Sequence, residues 1–319
     1  MQEVTGSTPV FSTEGRLIRG RPSYSMPLPD TLLERLGQDL ALHTGAVADI
    51  LDAIPVGGGS INDCYRLDTD AGSFFVKVDP GAAHPRMFQA EADGLRRLRA
   101  TGTIRIPEVI AVGEGSNCSY LLLEHIEHGT KGPAFWSDFG RSVAQMHAHS
   151  SASFGLDRDN YIGSLPQANS PCPTWAGFFI TQRLEPQVKT ARDRDRLGAG
   201  DALRFERFYA KVPSLFPSEP PALLHGDLWN GNFLCDASDR PVLIDPAVYY
   251  GHREMDLAMS MLFSGFDDAF YVAYNSTLPL ETGWQERADL CNLYPLMVHV
   301  NLFGGRYVEQ VRSTLQRFT

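Results

Sequence analysis

The chain has 319 residues, 43% of them hydrophobic and 21% charged, with a formal net charge of −10. This length can bury a sizeable core, in one large domain or in two lobes. The acidic balance argues against duplex DNA or an anionic membrane as a partner, and no apolar run approaches the roughly 20 residues of a membrane span.

The chain begins with a stretch, residues 1–28, that is rich in Ser, Thr, Gly and Pro and lacks the apolar core of a signal peptide. We expect this stretch to be a flexible extension. A helix is predicted to follow, because Leu32, Leu36 and Leu40 fall on one helical stripe that ends at Gly45.

Residues from about 50 to 126 are predicted to form a five-stranded antiparallel sheet with one inserted helix. The glycine-rich segment GGGSIN separates the first two strands, and a turn at Thr69–Gly72 precedes the third strand, Ser73–Val78. The third strand carries Lys77. The inserted helix, MFQAEADGLRRLRATG, carries Glu91.

The pattern changes after this sheet. Helices are predicted for most of the remaining chain, with short strands at Phe233–Cys235 and Val242–Ile244 and a run of helices from about residue 254. A sheet followed by helices predicts an α+β protein of two lobes, residues 29–126 and 127–319, with a cleft between them.

The segment HGDLWNGN places an acid and a carboxamide at kinase catalytic-loop spacing, D-x-x-x-x-N, in Asp227 and Asn232. An aspartate so placed can accept the proton of an attacking hydroxyl, while the asparagine holds a metal ion. Asp245 ends the next apolar strand and can supply a further metal ligand. Asp and Asn are also common in turns, so this spacing alone leaves a plain surface turn open.

Three features that precede this segment in the chain favour a kinase site over a plain surface turn. Glycines 57–59 permit close approach of a loop to phosphates, although a glycine loop is also consistent with a simple hairpin turn. A strand lysine, Lys77, is followed fourteen positions later by a helix glutamate, Glu91. Each of these could face solvent, but the order of all the features is that of a kinase, which predicts a protein-kinase-like fold.

The segments HGDLWNGN, LIDPAVYYGHREMDLAM and GGGSIN…FFVKV resemble the fructosamine kinase (ketosamine-3-kinase) family, which is related to the aminoglycoside phosphotransferases and choline kinases. The resemblance runs from about Gly57 to the C-terminal helices. The HGDLxxxN pattern is common to all these small-molecule kinases. Trp229 and the DPAVYYGHRE segment are more specific to the fructosamine kinases.

The resemblance implies a set of roles. Asp227 is the catalytic base, Asn232 and Asp245 hold Mg²⁺, and Lys77 and Glu91 form the pair that positions the ATP phosphates. The resemblance also implies that further residues bind ATP through a phosphate-covering loop and the backbone of the inter-lobe linker: Gly57, Gly58, Gly59, Ser60, Glu124, His125 and Ile126.

The acceptor side is assigned to two aromatic residues. Trp229 either presents its face to the sugar and its amine or packs between the lobes. Tyr249 either lines the same surface or packs in the core.

Residues beside the motifs are given structural roles. His225 is expected to brace the catalytic loop, and Asp256 either to anchor the backbone of that loop or to start the next helix. Arg253 and Glu254 are expected either to form a structural pair with each other or to contact the substrate.

The resemblance implies an ATP- and Mg²⁺-dependent kinase that phosphorylates O3 of ketosamines, such as fructosamine or ribulosamine, free or on protein lysines. The alternatives are a kinase for another amine-bearing alcohol, such as an aminoglycoside or choline, and a non-catalytic pseudokinase. The five scattered cysteines form no CxxC pattern, which is typical of a cytoplasmic protein. A monomer or weak homodimer without nucleic-acid or membrane partners is expected.

Overall fold

The structure, a computed structural model, describes residues 28–57, 62–80, 86–115 and 118–318. The predicted loop residues Gly58, Gly59 and Ser60, and the predicted extension up to residue 27, lie outside the described residues. The chain divides into two compact units. One contains the described parts of Met1–Ala92 and Pro107–Ile126, and the other contains Asp93–Ile106 and Glu127–Thr319.

The first unit contains a helix and a five-stranded antiparallel sheet, as predicted. Helix α1 spans Asp30–Thr44, and the strands follow the order β1-β2-β3-β5-β4 in the sheet. Helix α2, Met87–Arg99, is inserted in the chain between β3 and β4. The strands are β1 (Ile50–Pro55), β2 (Asp63–Thr69), β3 (Gly72–Pro80), β4 (Val109–Glu114) and β5 (Cys118–Glu124).

Helix α1 is amphipathic, as its leucine spacing predicts. Leu32, Leu36 and Leu40 are buried and belong to one apolar cluster with residues of the sheet. Gly45 ends the helix with a φ of 76°, a left-handed conformation that favours glycine, and its N–H donates to the carbonyl of Ala41. Local sequence chemistry therefore sets both the face and the end of this helix.

Strand β3 lies between β2 and β5 and is buried on both faces at its centre. Val76 and Val78 are buried, and so is Lys77 between them, with 7% of its surface exposed. A strand lysine usually faces solvent, so the burial of Lys77 requires a partner for its charge.

The second unit is mostly helical, as predicted, and also contains three two-stranded pairs: β6 with β7, β8 with β11, and β9 with β10. The first two pairs were missed in the sequence. None of the described helices is long and apolar enough to cross a membrane. The helices are α3 (Phe135–His147), α4 (Trp175–Phe178), α5 (Glu185–Asp193), α6 (Ala199–Leu215), α7 (Glu254–Leu262), α8 (Asp268–Thr277), α9 (Trp284–Cys291), α10 (Leu293–Phe303) and α11 (Tyr307–Phe318).

The strands of this unit are only three residues long: β6 (Asn160–Ile162), β7 (Leu165–Gln167), β8 (Ala222–Leu224), β9 (Phe233–Cys235), β10 (Pro241–Leu243) and β11 (Tyr249–Gly251). A π-helix, Phe179–Leu184, joins α4 to α5. The β9 strand has its predicted bounds, whereas β10 begins one residue before the predicted Val242.

Helices α3 and α8 approach each other closely at Gly140. A Cβ atom at this position would lie 2.1 Å from the backbone carbonyl oxygen of Phe270, closer than carbon and oxygen can come. The absence of a side chain at Gly140 therefore sets the distance between the two helices.

We expect Gly140→Ala to lower the free energy of unfolding by about 1–3 kcal/mol, because the added methyl group overpacks the contact with α8. Gly200→Ala is the matched control, since Gly200 lies in α6 and a Cβ atom there would have no heavy atom within 4 Å. The control is expected to be neutral or slightly stabilising. Equal melting temperatures of the two variants in calorimetry would contradict this account of the α3–α8 contact.

Candidate functional site

The HGD turn follows β8, and one buried carboxylate accepts hydrogen bonds from its backbone. Asp256, in the first turn of α7, accepts hydrogen bonds from the backbone N–H groups of His225, at 2.7 Å, and Gly226, at 2.9 Å. Gly226 has a φ of 84°, and a Cβ there would lie 2.0 Å from the carbonyl oxygen of Ala247. The turn thus requires glycine, and the anchoring role predicted for Asp256 is confirmed.

His225 braces the same turn, as predicted. Its Nε2 lies 2.9 Å from the carbonyl oxygen of Ile244, and the backbone N–H of Asp227 donates to its Nδ1 at 3.3 Å. A ring nitrogen that accepts carries no proton, so Nε2 is the donor. Burial lowers the pKa of His225, which keeps the ring neutral in this arrangement.

Asp227 and Asn232 lie together. The side-chain amide of Asn232 donates to Oδ2 of Asp227 at 2.8 Å and to its backbone carbonyl at 2.9 Å. The backbone N–H of Ile244 donates to the carbonyl of Asn232 at 3.1 Å, which extends the β9–β10 pairing by one step. The residue after Ile244 is Asp245, so the pairing brings the second predicted metal ligand to this end of the hairpin.

The carboxyl group of Asp227 has a raised pKa. Burial raises the pKa of Asp227 to about 7; the hydrogen bond from Asn232 opposes this rise, and the nearby carboxylates of Asp245 and Asp256 add to it. Asp227 nevertheless keeps part of its surface accessible. A group that changes protonation state near neutral pH, beside two other carboxylates, is typical of an acid–base site.

The donor set near Asp227 fits a magnesium ion. Asn232 and Asp245 offer a carboxamide and a carboxylate oxygen, the hard ligands that Mg²⁺ prefers. Asp245 is exposed and has a φ of 55°, a left-handed conformation uncommon for a non-glycine residue. The described residues contain no group of three or more His, Cys, Asp or Glu side chains that could enclose a metal. Two ligands suit a cation that completes its shell with phosphate and water.

In the first unit, Lys77 has the partner that its burial requires. Its Nζ lies 2.7 Å from Oε1 of Glu91, and both side chains are at most 13% exposed. The predicted pair is therefore present, and it fixes the lysine head group on the sheet.

The residues predicted to contact ATP through their backbone end strand β5. Glu124 donates its N–H to the carbonyl of Glu108, the residue just before β4. Ile126, in contrast, makes no backbone–backbone hydrogen bond in the described part of the chain, and His125 lies between the two. The backbone of Ile126 could therefore pair with a purine base. Gly57, at the described edge of the glycine loop, has open space at its Cβ position.

The two predicted acceptor residues lie in different surroundings. Trp229 is partly exposed, packs edge to face on Phe263 at 5.7 Å and lies over Gly231, where a Cβ would come within 2.4 Å of the indole ring. Tyr249 is 1% exposed and stacks on Phe178. The structure thus places Tyr249 in the core, as in its alternative interpretation, while Trp229 remains partly exposed.

The predicted pairing of Arg253 with Glu254 is wrong. Arg253 forms a two-point contact with Glu219, and Glu254 forms one with Arg287. Adjacent residues at a helix start point in different directions, so each finds a partner from another segment.

No functional role was predicted for three buried carboxamides, Asn160, Gln167 and Asn169. Asn160 and Gln167 donate hydrogen bonds to the backbone that follows Asp245. The one signal in the sequence is their density in the segment NYIGSLPQAN.

Comparisons with known proteins agree with this geometry. Residues 33–319 match the family model described as fructosamine kinase. A probable ketoamine kinase of Enterococcus faecium is 42% identical over 267 residues, which cover 83% of this chain and 94% of that protein. The chloroplastic protein-ribulosamine 3-kinase of Arabidopsis thaliana is 38% identical over 286 residues, covering 87% of this chain and 85% of that protein.

Solved structures show the same relationship. A candidate fructosamine-3-kinase from Haemophilus somnus 129PT has a TM-score of 0.81 and 29% identity, covering 90% of this chain and 99% of that one. A mutant of the aminoglycoside phosphotransferase APH(4)-Ia, solved with ADP and hygromycin B, shares the fold at a TM-score of 0.59, 16% identity and coverage of 88% and 98%. The predicted α+β, protein-kinase-like fold is confirmed.

We expect Asp227→Asn to stabilise the fold at alkaline pH. The carboxyl group of Asp227 has an ordinary pKa of 3.8 and a folded-state pKa of about 7. Because the folded pKa is the higher one, stability is lost as pH rises between these values, and the asparagine removes that loss. The melting temperature of the variant minus that of the wild type should therefore increase from pH 5 to pH 8 and be positive at pH 8. A difference that is constant or falls with pH would contradict the raised pKa.

Proposed function

Since this chain belongs to the fructosamine kinase family and is a kinase, we propose that it transfers the γ-phosphoryl group of ATP to O3 of a ketosamine. The acceptor is a fructosamine or ribulosamine, free or borne by a protein lysine, and the phosphorylation initiates removal of the sugar. The observation that carries the proposal is the contact of Asp227 with Asn232, beside Asp245, on a turn held by Asp256.

Asp227 orients the acceptor hydroxyl and accepts its proton. Asn232 engages Oδ2 of Asp227, which leaves Oδ1 to face the hydroxyl. An aspartate with a pKa near 7 takes up a proton at neutral pH more readily than an ordinary one. Because phosphoryl transfer passes through a loose transition state, orientation of the hydroxyl contributes more than removal of its proton.

ATP and Mg²⁺ are bound by the remaining predicted residues. Lys77, fixed by Glu91, contacts the phosphates, and the backbone of Ile126 binds adenine. Asn232 and Asp245 would hold a Mg²⁺ ion, which would supply positive charge against the negative charge that develops on the phosphates.

The setting is proposed to be the cytoplasm. All five cysteines are free thiols, which supports a reducing compartment. The net charge of −10 favours a cationic amine over nucleic acid as a partner. A monomer or weak homodimer suffices, since the residues proposed for catalysis belong to one chain.

Purified protein with ATP and Mg²⁺ is expected to phosphorylate fructosyl-lysine or ribulosyl-lysine, with the phosphate on O3 as read by NMR. Asp227→Asn should lower kcat by about 10²–10⁴-fold, because it removes the proton acceptor, while ATP still binds. ATP binding is measured by calorimetry.

The acceptor panel should include an aminoglycoside and choline. Turnover of either in preference to both ketosamines would replace the proposed acceptor with another amine-bearing alcohol. ATP binding without turnover of any acceptor, unchanged by Asp227→Asn, would identify a pseudokinase.

We expect Trp229→Leu to raise KM for the ketosamine about tenfold, equivalent to the roughly 1–2 kcal/mol of an aromatic face against a cationic amine. KM for ATP should not change. Trp229→Phe keeps a flat ring and should retain most of the affinity. Equal KM values for the leucine variant and the wild type would show that Trp229 only packs on Phe263.

A further inference from the structure

A layer of buried carboxamides lies behind the segment that carries Asp245. Gln167, at the end of β7, is 1% exposed, and Asn160, at the start of β6, is 7% exposed. The Nε2 of Gln167 donates to the carbonyl oxygen of Ala247 at 3.0 Å, and Nδ2 of Asn160 donates to that of Val248 at 2.8 Å. Two buried side chains thus hold the backbone two and three residues after Asp245.

The carboxamides are supported by a buried arginine. Arg183, in the π-helix, is fully buried, and its guanidinium carbon lies 3.9 Å from the ring centre of Tyr249 and 5.3 Å from that of Tyr294. Its NH2 group donates to Oδ1 of Asn169 at 2.7 Å, and its NH1 group to the carbonyl of Ala168.

The groups at the two ends of this layer, a donor at Arg183 and carbonyl acceptors after Asp245, fix the direction of every hydrogen bond between them. Arg183 can only donate, so the oxygen of Asn169 must face it. The Nδ2 of Asn169 then donates to Oδ1 of Asn160 at 2.9 Å, and this forces Nδ2 of Asn160 toward the carbonyl of Val248. Gln167 donates to the same Oδ1 at 2.8 Å, and its own oxygen accepts from the hydroxyl of Tyr294 at 2.6 Å.

The other end of the layer touches the catalytic turn. The carbonyl oxygen of Ala247, which accepts from Gln167, is the atom that lies against Gly226. The N–H of Ala247 donates to the carbonyl of His225 at 2.9 Å. One residue therefore joins the carboxamide layer, the turn that carries Asp227 and the segment that carries Asp245.

From this geometry we propose that Gln167, oriented by Asn160 and by the hydrogen-bond chain from Arg183, is a positioning residue that sets the place of Asp245 relative to Asp227. The inference rests on the proposed kinase function and deepens it. Gln167 touches no reacting atom, and it acts through the backbone of Ala247. Its loss should displace the proposed metal ligand rather than remove an ATP or acceptor contact.

The test is Gln167→Met, which keeps the size of the side chain and removes its donors. We expect kcat to fall about 10- to 100-fold, as for other residues that orient a metal ligand, and KM for the ketosamine to stay within about twofold. A second readout needs no turnover. Mn²⁺ affinity in the presence of the non-hydrolysable analogue AMP-PNP, measured by EPR, should fall about tenfold.

Gln187→Met is the matched control. Gln187 is 5% exposed and accepts a hydrogen bond from the buried Asn301 at 2.7 Å, away from the segment of Asp245. The control loses a buried carboxamide and a similar amount of stability, but kcat and Mn²⁺ affinity should remain at wild-type values. If Gln167→Met does not fold, the same two measurements are made on Gln167→Glu. This variant keeps the shape of the side chain and loses the N–H groups that face Ala247.

The proposal is overturned if either Gln167 variant matches Gln187→Met, within about twofold, in both kcat and Mn²⁺ affinity. The two hypotheses fail separately. A wild-type protein that phosphorylates no ketosamine ends the proposed function, while Mn²⁺ binding in the variants still decides the role of Gln167.

Discussion

The carboxylate of Asp256 is the constraint on which the site depends. It is 1% exposed and accepts hydrogen bonds from two successive backbone N–H groups, those of His225 and Gly226, as well as lying 3.1 Å from Nε2 of His147. Without it, two buried donors in a turn would lose their acceptor, at a cost of about 1–3 kcal/mol each. Asp227 is therefore presented by a turn whose backbone has one available conformation.

Several buried polar groups of the second unit contact this turn and the segment that follows Asp245. Asp256 holds one side, His225 bridges to Ile244, and the carboxamide layer holds Ala247 from the opposite direction. Such groups are costly in an apolar interior unless they form hydrogen bonds, and a continuous chain of hydrogen bonds runs from the terminal nitrogens of Arg183 to Ala247, although the Nε of Arg183 has no partner among the described residues.

The predictable parts of the molecule are those with local signals. Helix α1, the five-stranded sheet and the Lys77–Glu91 pair follow from leucine spacing, strand alternation and motif order. All six strands of the second unit have three residues, which is too short to show alternation. Only the β9–β10 hairpin, between the HGDLWNGN segment and Asp245, was predicted, whereas β6–β7 and β8–β11 were missed.

Other features depend on tertiary contacts that no local pattern encodes. Arg253 pairs with Glu219, and Glu254 pairs with Arg287. Each partner lies more than thirty residues away in the chain. The ring of Tyr249 is buried against Phe178 and the guanidinium of Arg183, which lie more than sixty residues before it in the chain. The role of Gln167 becomes visible only when the carbonyl of Ala247 is seen against Gly226.

The layer beneath Asp245 has a further consequence for how the protein responds to acid and base. Carboxamides do not titrate, and a guanidinium stays charged at any pH that a folded protein tolerates. Burial raises the pKa of Tyr249 to about 12 and raises the pKa of Tyr294 as well. The carboxamide layer therefore keeps the same charge from acid to alkaline solution. Any titration in the support of the site arises on its other side, where Asp256 and His225 hold the catalytic turn.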